Sequence, residues 1–426
     1  MKSPSAPFVA SLIGIGLLGI GGYAAYRKAQ SAPEEIRLSK GFIGALFHRG
    51  QNEKSAVETE LKRMEMRRVE LKRRLLAGFP ILRIEERPVP DEENGFLQIH
   101  RLGKDSQSHR WEPGMFDELS NCVNSRDFGK AGAFLMKYPA FVSEAKRIAS
   151  LPSRSSTLPG EDYNGYFEAG SVKALHDVFL LQAGLAAESG KESAALEAAR
   201  HAMQIRNHVH DVEAPSFLIE TVVMLMDLGR MAWVTDVILP KLGSKADLSV
   251  WREMMGGETH VPARLAKVSR GEWHTSADHL FLPQILMDHH NGNLEDPDET
   301  ARVWSARSAW RIAELEKKPA VGFRDLDGSG AKPDSGPLSE EGRAIVDNID
   351  SGVSPWNKGM LRIVVIAAQR RAMMDALIHE RDGRAIPELV DPVSGLPFRF
   401  DAAARMIHAP EWEGAPEDVP PLRLPW

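Results

Sequence analysis

The stretch 171-SVKALHDVFLLQAGLAAESGKESAALEAARHAM-203 decides the fold. Val172, Leu175, Val178, Phe179, Leu181, Gln182 and Leu185 recur at helical spacing and so share one face of a helix. Gly190-Lys191 turns the chain. Ala194, Ala195, Ala198, Ala202, Met203 and Ile205 then give a second helix a face rich in small side chains, which lets antiparallel helices approach closely. After Pro215 a third helix is expected, carrying Phe217, Leu218, Val222, Val223, Leu225, Met226 and Met231. This order predicts a tetratricopeptide-like hairpin. Three copies do not recur at a fixed period, so a helical-hairpin layer is expected rather than a solenoid.

The flanking sequence continues the helical pattern. Helices are expected over 113–149, interrupted near Asp127 and Pro139, with a loop from Pro152 to Gly165. Four more are expected near 246–256, 296–318, 338–350 and 358–382, with a flexible Gly/Asp/Ser/Pro insertion at 325–338. Pro397-Phe398-Arg399-Phe400 and Arg405-Met406-Ile407-His408 are expected to pair as a short β-hairpin. Glu53 to Leu76 is dense in charge, with a ragged apolar stripe through Leu61, Met64, Val69, Leu71, Leu75 and Leu76. It reads as a helical stalk or a surface helix, closed by Gly78 and Pro80. The fold class is therefore mainly α.

The run from Phe8 to Tyr26 has no charged side chain. As a helix it spans about 28 Å, close to the thickness of a bilayer's hydrocarbon core. Lys2 precedes it, Arg27 and Lys28 close it, and Tyr23 and Tyr26 stand where interfacial aromatics belong. A retained single-pass anchor in membrane lipid is expected, rather than a cleaved signal peptide. The expected layout is an anchor at 1–30, a charged helix at 31–87, a helical-hairpin domain at 88–257 and a second helical domain at 258–426.

Composition narrows the function. Hydrophobic residues make up 43% of the 426, too few for a protein that crosses the membrane many times. A net charge of −6 argues against nucleic acid, whose binding needs a basic surplus. One cysteine, Cys122, excludes an intrachain disulfide and a cysteine zinc cage.

No chemical motif is complete. Asp325-Leu326-Asp327-Gly328-Ser329-Gly330 opens like a calcium loop, but Gly336 stands where the bidentate glutamate belongs. His208 and His210 lie two apart, on different helical faces. His274, His279, His289 and His290, near Asp278 and Asp288, are candidate metal ligands without a His-Glu-x-x-His pattern, and they fall in expected loops. There is no Gly-x-Ser-x-Gly elbow and no phosphate loop ending in Gly-Lys-Ser/Thr, and no cofactor is expected.

The apolar N-terminus, Pro90-Asp91-Glu92-Glu93-Asn94-Gly95, the stretch from Leu180 through Gly190 to the helix after Pro215, and Ile386 to Phe400 together carry a resemblance. The chain resembles a family of uncharacterised membrane-anchored proteins of planctomycete and verrucomicrobial bacteria. Asp382-Gly383, Ile386-Pro387 and Asp391-Pro392 through Phe400 also look like the end of type II secretion pseudopilins. The chain departs from those at its start, where no Gly-Phe-x-x-x-Glu processing site precedes the apolar run. Apart from the resemblance, the Asp391-Pro392 and Ser394-Gly395 turns are expected to lay Phe398 and Phe400 onto the preceding helix. The resemblance implies an exported body tethered to the bacterial inner membrane. The flanking charges favour the opposite, cytoplasmic side, because Arg27, Lys28, Arg37 and Lys40 outnumber Lys2. The expected protein is a periplasmic, non-enzymatic interaction or scaffold module with a protein partner. The alternative is a periplasmic enzyme or metal-binding protein using the histidines near 274–290.

Overall fold

A computed structural model describes residues 51–426 except 86, 108–111, 113, 153–168, 257–259, 280, 327–332, 334–335, 337, 417–418 and 426. The expected anchor at 8–26, nearly all of the loop from Pro152 to Gly165 and part of the insertion at 325–338 lie outside the described residues. Among the described residues, no helix is long and apolar enough to cross a membrane. The chain forms two compact units. The smaller contains Met1–Arg83, Trp273–Ala309 and Lys332–Gly359; the larger contains Ile84–Glu272, Trp310–Ala331 and Met360–Trp426.

The helices are α1 (Gln51–Gly78), α2 (Gly95–Gln107), α3 (Met115–Ser125), α4 (Phe128–Lys137), α5 (Pro139–Ala149), α6 (Ala169–Glu188), α7 (Glu192–His210) and α8 (Phe217–Trp233). They continue as α9 (Leu248–Glu253), α10 (Val261–His279), α11 (Phe281–His290), α12 (Pro297–Lys317) and α13 (Glu340–Arg381).

In the larger unit α6 and α7 form the expected antiparallel pair, joined at Gly190, whose φ of 68° suits a residue without Cβ. Val172, Leu175, Val178, Phe179 and Leu181 are wholly buried on α6. The inward row of α7 is Ala195, Ala198, Ala199, Ala202 and Ile205. Ala194 is exposed and Met203 half-buried, so the row sits slightly around the helix from its expected position. A buried Val, Leu or Phe side chain contributes about 1.5–3 kcal/mol and a single methyl far less, so α7 supplies close approach more than area. The breaks near Asp127 and Pro139 are helix starts. The Asp127 carboxylate accepts from the Gly129 and Lys130 N–H groups, and Pro139 opens α5, where its missing N–H costs nothing.

α8 starts at Ser216, whose hydroxyl caps the Ile219 N–H, and then widens into a π turn at Val234–Ile238. Pro240 lies just beyond, and having no N–H it cannot bond the Asp236 carbonyl in the α pattern. α10 tolerates a glycine in its middle for a reason of contact. A Cβ on Gly271 would lie 2.2 Å from the Pro215 carbonyl oxygen.

Two expectations are corrected. The segments 338–350 and 358–382 are one 42-residue helix, α13. The candidate histidines do not lie in loops: His274 and His279 are on α10 and His289 and His290 on α11, while His260 sits just before α10 and accepts from the Ala263 N–H of its first turn.

The expected C-terminal hairpin forms, pairing β1 (Arg399–Asp401) with β2 (Met406–His408), with Phe400 opposite Ile407. A third strand, β3 (Leu422–Arg423), was not signalled by the pattern and adds to the other edge of β2. Asp391 builds the preceding turn: its carboxylate accepts from the Val393 and Ser394 N–H groups and the Ser394 hydroxyl. Phe398 and Phe400 then pack, half-buried, against the core that includes Met373, Met374 and Leu377 of α13.

In the smaller unit α1 contacts α11, burying Leu71 and Leu75 while its other faces stay charged. Trp273 stacks on Trp304 at 5.5 Å between ring centroids, and Phe281 lies 4.2 Å from the same indole.

Candidate functional site

The structure does not gather the candidate metal ligands. His274 donates Nε2–H to the Leu82 carbonyl at 2.9 Å, and burial pushes its pKa down to about 4. His289 bonds the Leu294 carbonyl through Nδ1, while His279 and His290 are exposed. Asp278 is taken by Arg68 and Lys72 at 2.5 and 2.6 Å. His208 and His210 do diverge: one meets the Ile148 carbonyl, the other Asp211. Among the described residues, no group of three or more His, Cys, Asp or Glu side chains is placed to hold a metal. Of the calcium-like loop, Asp325 and Leu326 are described and the next four residues are not. Cys122 is buried, and burial together with Glu118 and Asp127 raises its thiol pKa, the opposite of a reactive cysteine.

Two concave features stand out, both in the larger unit. The first is a groove of ≈ 560 Å³ over the small sheet. Arg399 and His408, register partners on β1 and β2, line it with Glu411, Trp412, Pro416 and Pro421, and Val365 of α13 contributes to its wall. Its scaffold is tied down. The buried Gln369 amide donates to the Ile407 and Pro420 carbonyls, which fixes β2 and the C-terminal loop to α13. Arg324 sits 5.6 Å from the Trp412 ring centroid while donating twice to the Ser394 carbonyl. Proline has no N–H and a fixed φ, so this wall is stiff and leaves few of its own donors to satisfy.

The second is a narrow cleft of ≈ 50 Å³ among α7, α8, α10 and α13. Each helix contributes a regular stripe: Glu220, Met224, Asp227 and Met231 from α8; Met360, Ile363, Val364, Ala367 and Arg371 from α13. Val261, Arg264 and Leu265 of α10 and Arg206 of α7 complete it. Charges are thus set into apolar stripes. Arg264 bonds Glu220 at 2.8 Å through Nε. Asp227 accepts from Arg206 at 2.9 Å and from Arg230 at 2.6 Å. Burial opposes ionisation of Asp227, but the two guanidiniums outweigh it and hold its carboxyl below the usual range.

Sequence reasoning passed over these residues because charged side chains are ordinarily assigned to solvent. The available signal was their spacing. Glu220 and Asp227 are seven apart, on the same face as Met224 and Met231.

No protein-family model, curated protein or solved structure matches the chain.

Proposed function

We propose that this is a non-enzymatic interaction module of a bacterial envelope. Residues 8–26 tether it to the inner membrane, its body lies in the periplasm, and its C-terminal groove receives an extended segment of a protein partner. The groove carries this reading. Its volume of ≈ 560 Å³ is within the range of ligand sites, about 300–1,000 Å³. Its walls are preset by prolines and by the Gln369 and Arg324 ties, so little ordering is left to oppose binding. An indole beside a basic Arg399 and an acidic Glu411 suits a polypeptide, which offers both apolar side chains and backbone groups.

A photocrosslinking residue placed at Pro421 in cells tests the groove. One discrete protein adduct is expected there, and none when the same residue replaces Met136, which is 79% exposed elsewhere on this unit. Trp412→Ala should suppress the adduct. Equal adducts at both positions, or an adduct indifferent to Trp412→Ala, would overturn the reading. Deleting residues 1–30 should release the body from the membrane fraction, and a reporter fused after residue 50 should report the periplasm.

A further inference from the structure

The second cleft has a charge imbalance that its own residues do not resolve. Arg206, Arg264 and Arg371 line it against two carboxylates, Glu220 and Asp227. Those carboxylates are already occupied, Glu220 by Arg264 and Asp227 by Arg206 and Arg230. Arg371 is left over. It is half-buried, and among the described residues it has no hydrogen-bond or ion-pair partner. Asp227, the acid that acts on it most strongly, is already shared by Arg206 and Arg230, and Asp375, a turn along α13, is held by Arg252 at 2.5 and 3.2 Å. Arg230 adds a buried guanidinium nearby that is only partly satisfied. It is 1% exposed, and although one nitrogen meets Asp227, its Nε and Nη1 have no partner.

Burying a guanidinium without a counter-charge costs several kcal/mol, and a stray water does not neutralise it. An oxyanion would. The guanidinium fork matches the two oxygens of a carboxylate or phosphate. Burial, then repulsion from Arg252, depresses the Arg371 pKa against the pull of Asp227 and Asp375, so an arriving anion meets a cation whose charge is on balance destabilised. Size limits the ligand. At about 10–15 Å³ per water-sized group, ≈ 50 Å³ admits roughly three to five such groups, enough for one phosphate or carboxylate head. Met224, Met231 and Met360 at the margins are flexible enough to admit a short apolar stem.

We infer that this cleft is a binding site for a single small oxyanionic group, held by the Arg371 guanidinium in the positive field of Arg206, Arg230 and Arg264. The site is separate from the C-terminal groove and does not depend on its having a partner.

The test uses the full-length chain and inorganic phosphate, sulfate and acetate as probes, each titrated against sodium chloride at matched ionic strength. Thermal unfolding and titration calorimetry are the readouts. At least one oxyanion should raise Tm saturably where chloride does not, and the tightest of the three identifies the head group as phosphate-like or carboxylate-like. Arg371→Gln should weaken that anion at least tenfold. It leaves no carboxylate unpaired, so it should keep the wild-type circular dichroism. Arg371→Lys should bind with intermediate strength, and Ala367→Met, which fills the cleft without removing charge, should also abolish the response. The inference is overturned if no oxyanion differs from chloride, or if Arg371→Gln responds like wild type. Should Arg371→Gln not fold, wild-type affinity in both Arg371→Lys and Ala367→Met overturns it equally.

Discussion

α7 carries two buried faces of opposite kind within three turns. From Ala195 to Ala202 it presents methyl groups to α6, and the contact is dry, uncharged and close. One turn later Arg206, 8% exposed, reaches Asp227 of α8 and enters a layer where buried ion pairs are set among apolar side chains. The first face is stabilised by close apolar contact and tolerates any partner of fitting shape. The second is costly unless each charge meets its opposite, because desolvating an ion costs several kcal/mol. A fold needs the first kind of surface. The second kind does something a hydrophobic core does not do: it places Arg371, without a hydrogen-bond or ion-pair partner among the described residues, in a cleft beside other cations.

Removing the shared acid tests this contrast most severely. Asp227→Ala leaves Arg206 and Arg230 buried without a carboxylate, and stability should fall by about 3–5 kcal/mol in urea unfolding. A loss under about 1 kcal/mol would mean that the guanidiniums reach water, and the two faces would no longer differ in kind.

Acid addresses a third group on the same helix. His208 is wholly buried on α7, donates to the Ile148 carbonyl, and is pushed by burial to about 4 from an ordinary value near 6.5. The fold favours its neutral form. That contribution is complete above about pH 6.5 and disappears as pH falls towards 4, a loss of about 3 kcal/mol. His274, depressed to about 4 in the smaller unit, titrates over the same window. Asp227 acts lower: its pKa is depressed, so its contribution is present above the unfolded carboxylate value near 3.9 and is lost only below it. Unfolding free energy measured from pH 7.5 to 4.5 should therefore fall, and His208→Gln should make that slope clearly shallower. An unchanged slope would show that His208 titrates freely.

The Ala face responds to volume rather than charge. Ala199→Leu forces three extra carbons between α7 and α6 where Ala199 has no exposed surface, and should cost about 1–3 kcal/mol. Leucine at the exposed Ala194 should be nearly neutral.

This difference also governs what could be read from the sequence. The α6–α7 pair was legible because apolar side chains at helical spacing have one plausible destination. α10 and α11 were not, because histidines and aspartates dilute their pattern and only packing shows that Trp273 and Phe281 meet at Trp304. Gly352 and Pro355 fall in the gap between the helices expected at 338–350 and 358–382, although α13 runs through both. The cleft was least legible. Glu220, Asp227 and Arg264 look like solvated charges until α8, α10 and α13 are set side by side, and the unpartnered state of Arg371 is a property of three dimensions only.

A variant expected to lose no stability tests the contrast most directly. Glu220 and Arg264 are both nearly buried, and losing either alone strands an ion at a cost of about 3–5 kcal/mol. Replacing both, as Glu220→Leu with Arg264→Met, exchanges a desolvated pair for apolar volume and should be neutral or stabilising by about 1–4 kcal/mol. If the pair served only the fold, nothing else would change. If it helps to set the field of the cleft, the double variant should be at least as stable as wild type in chloride yet bind its oxyanion several-fold differently, with Arg371 untouched. Stability and anion response would then separate, as the two faces of α7 require.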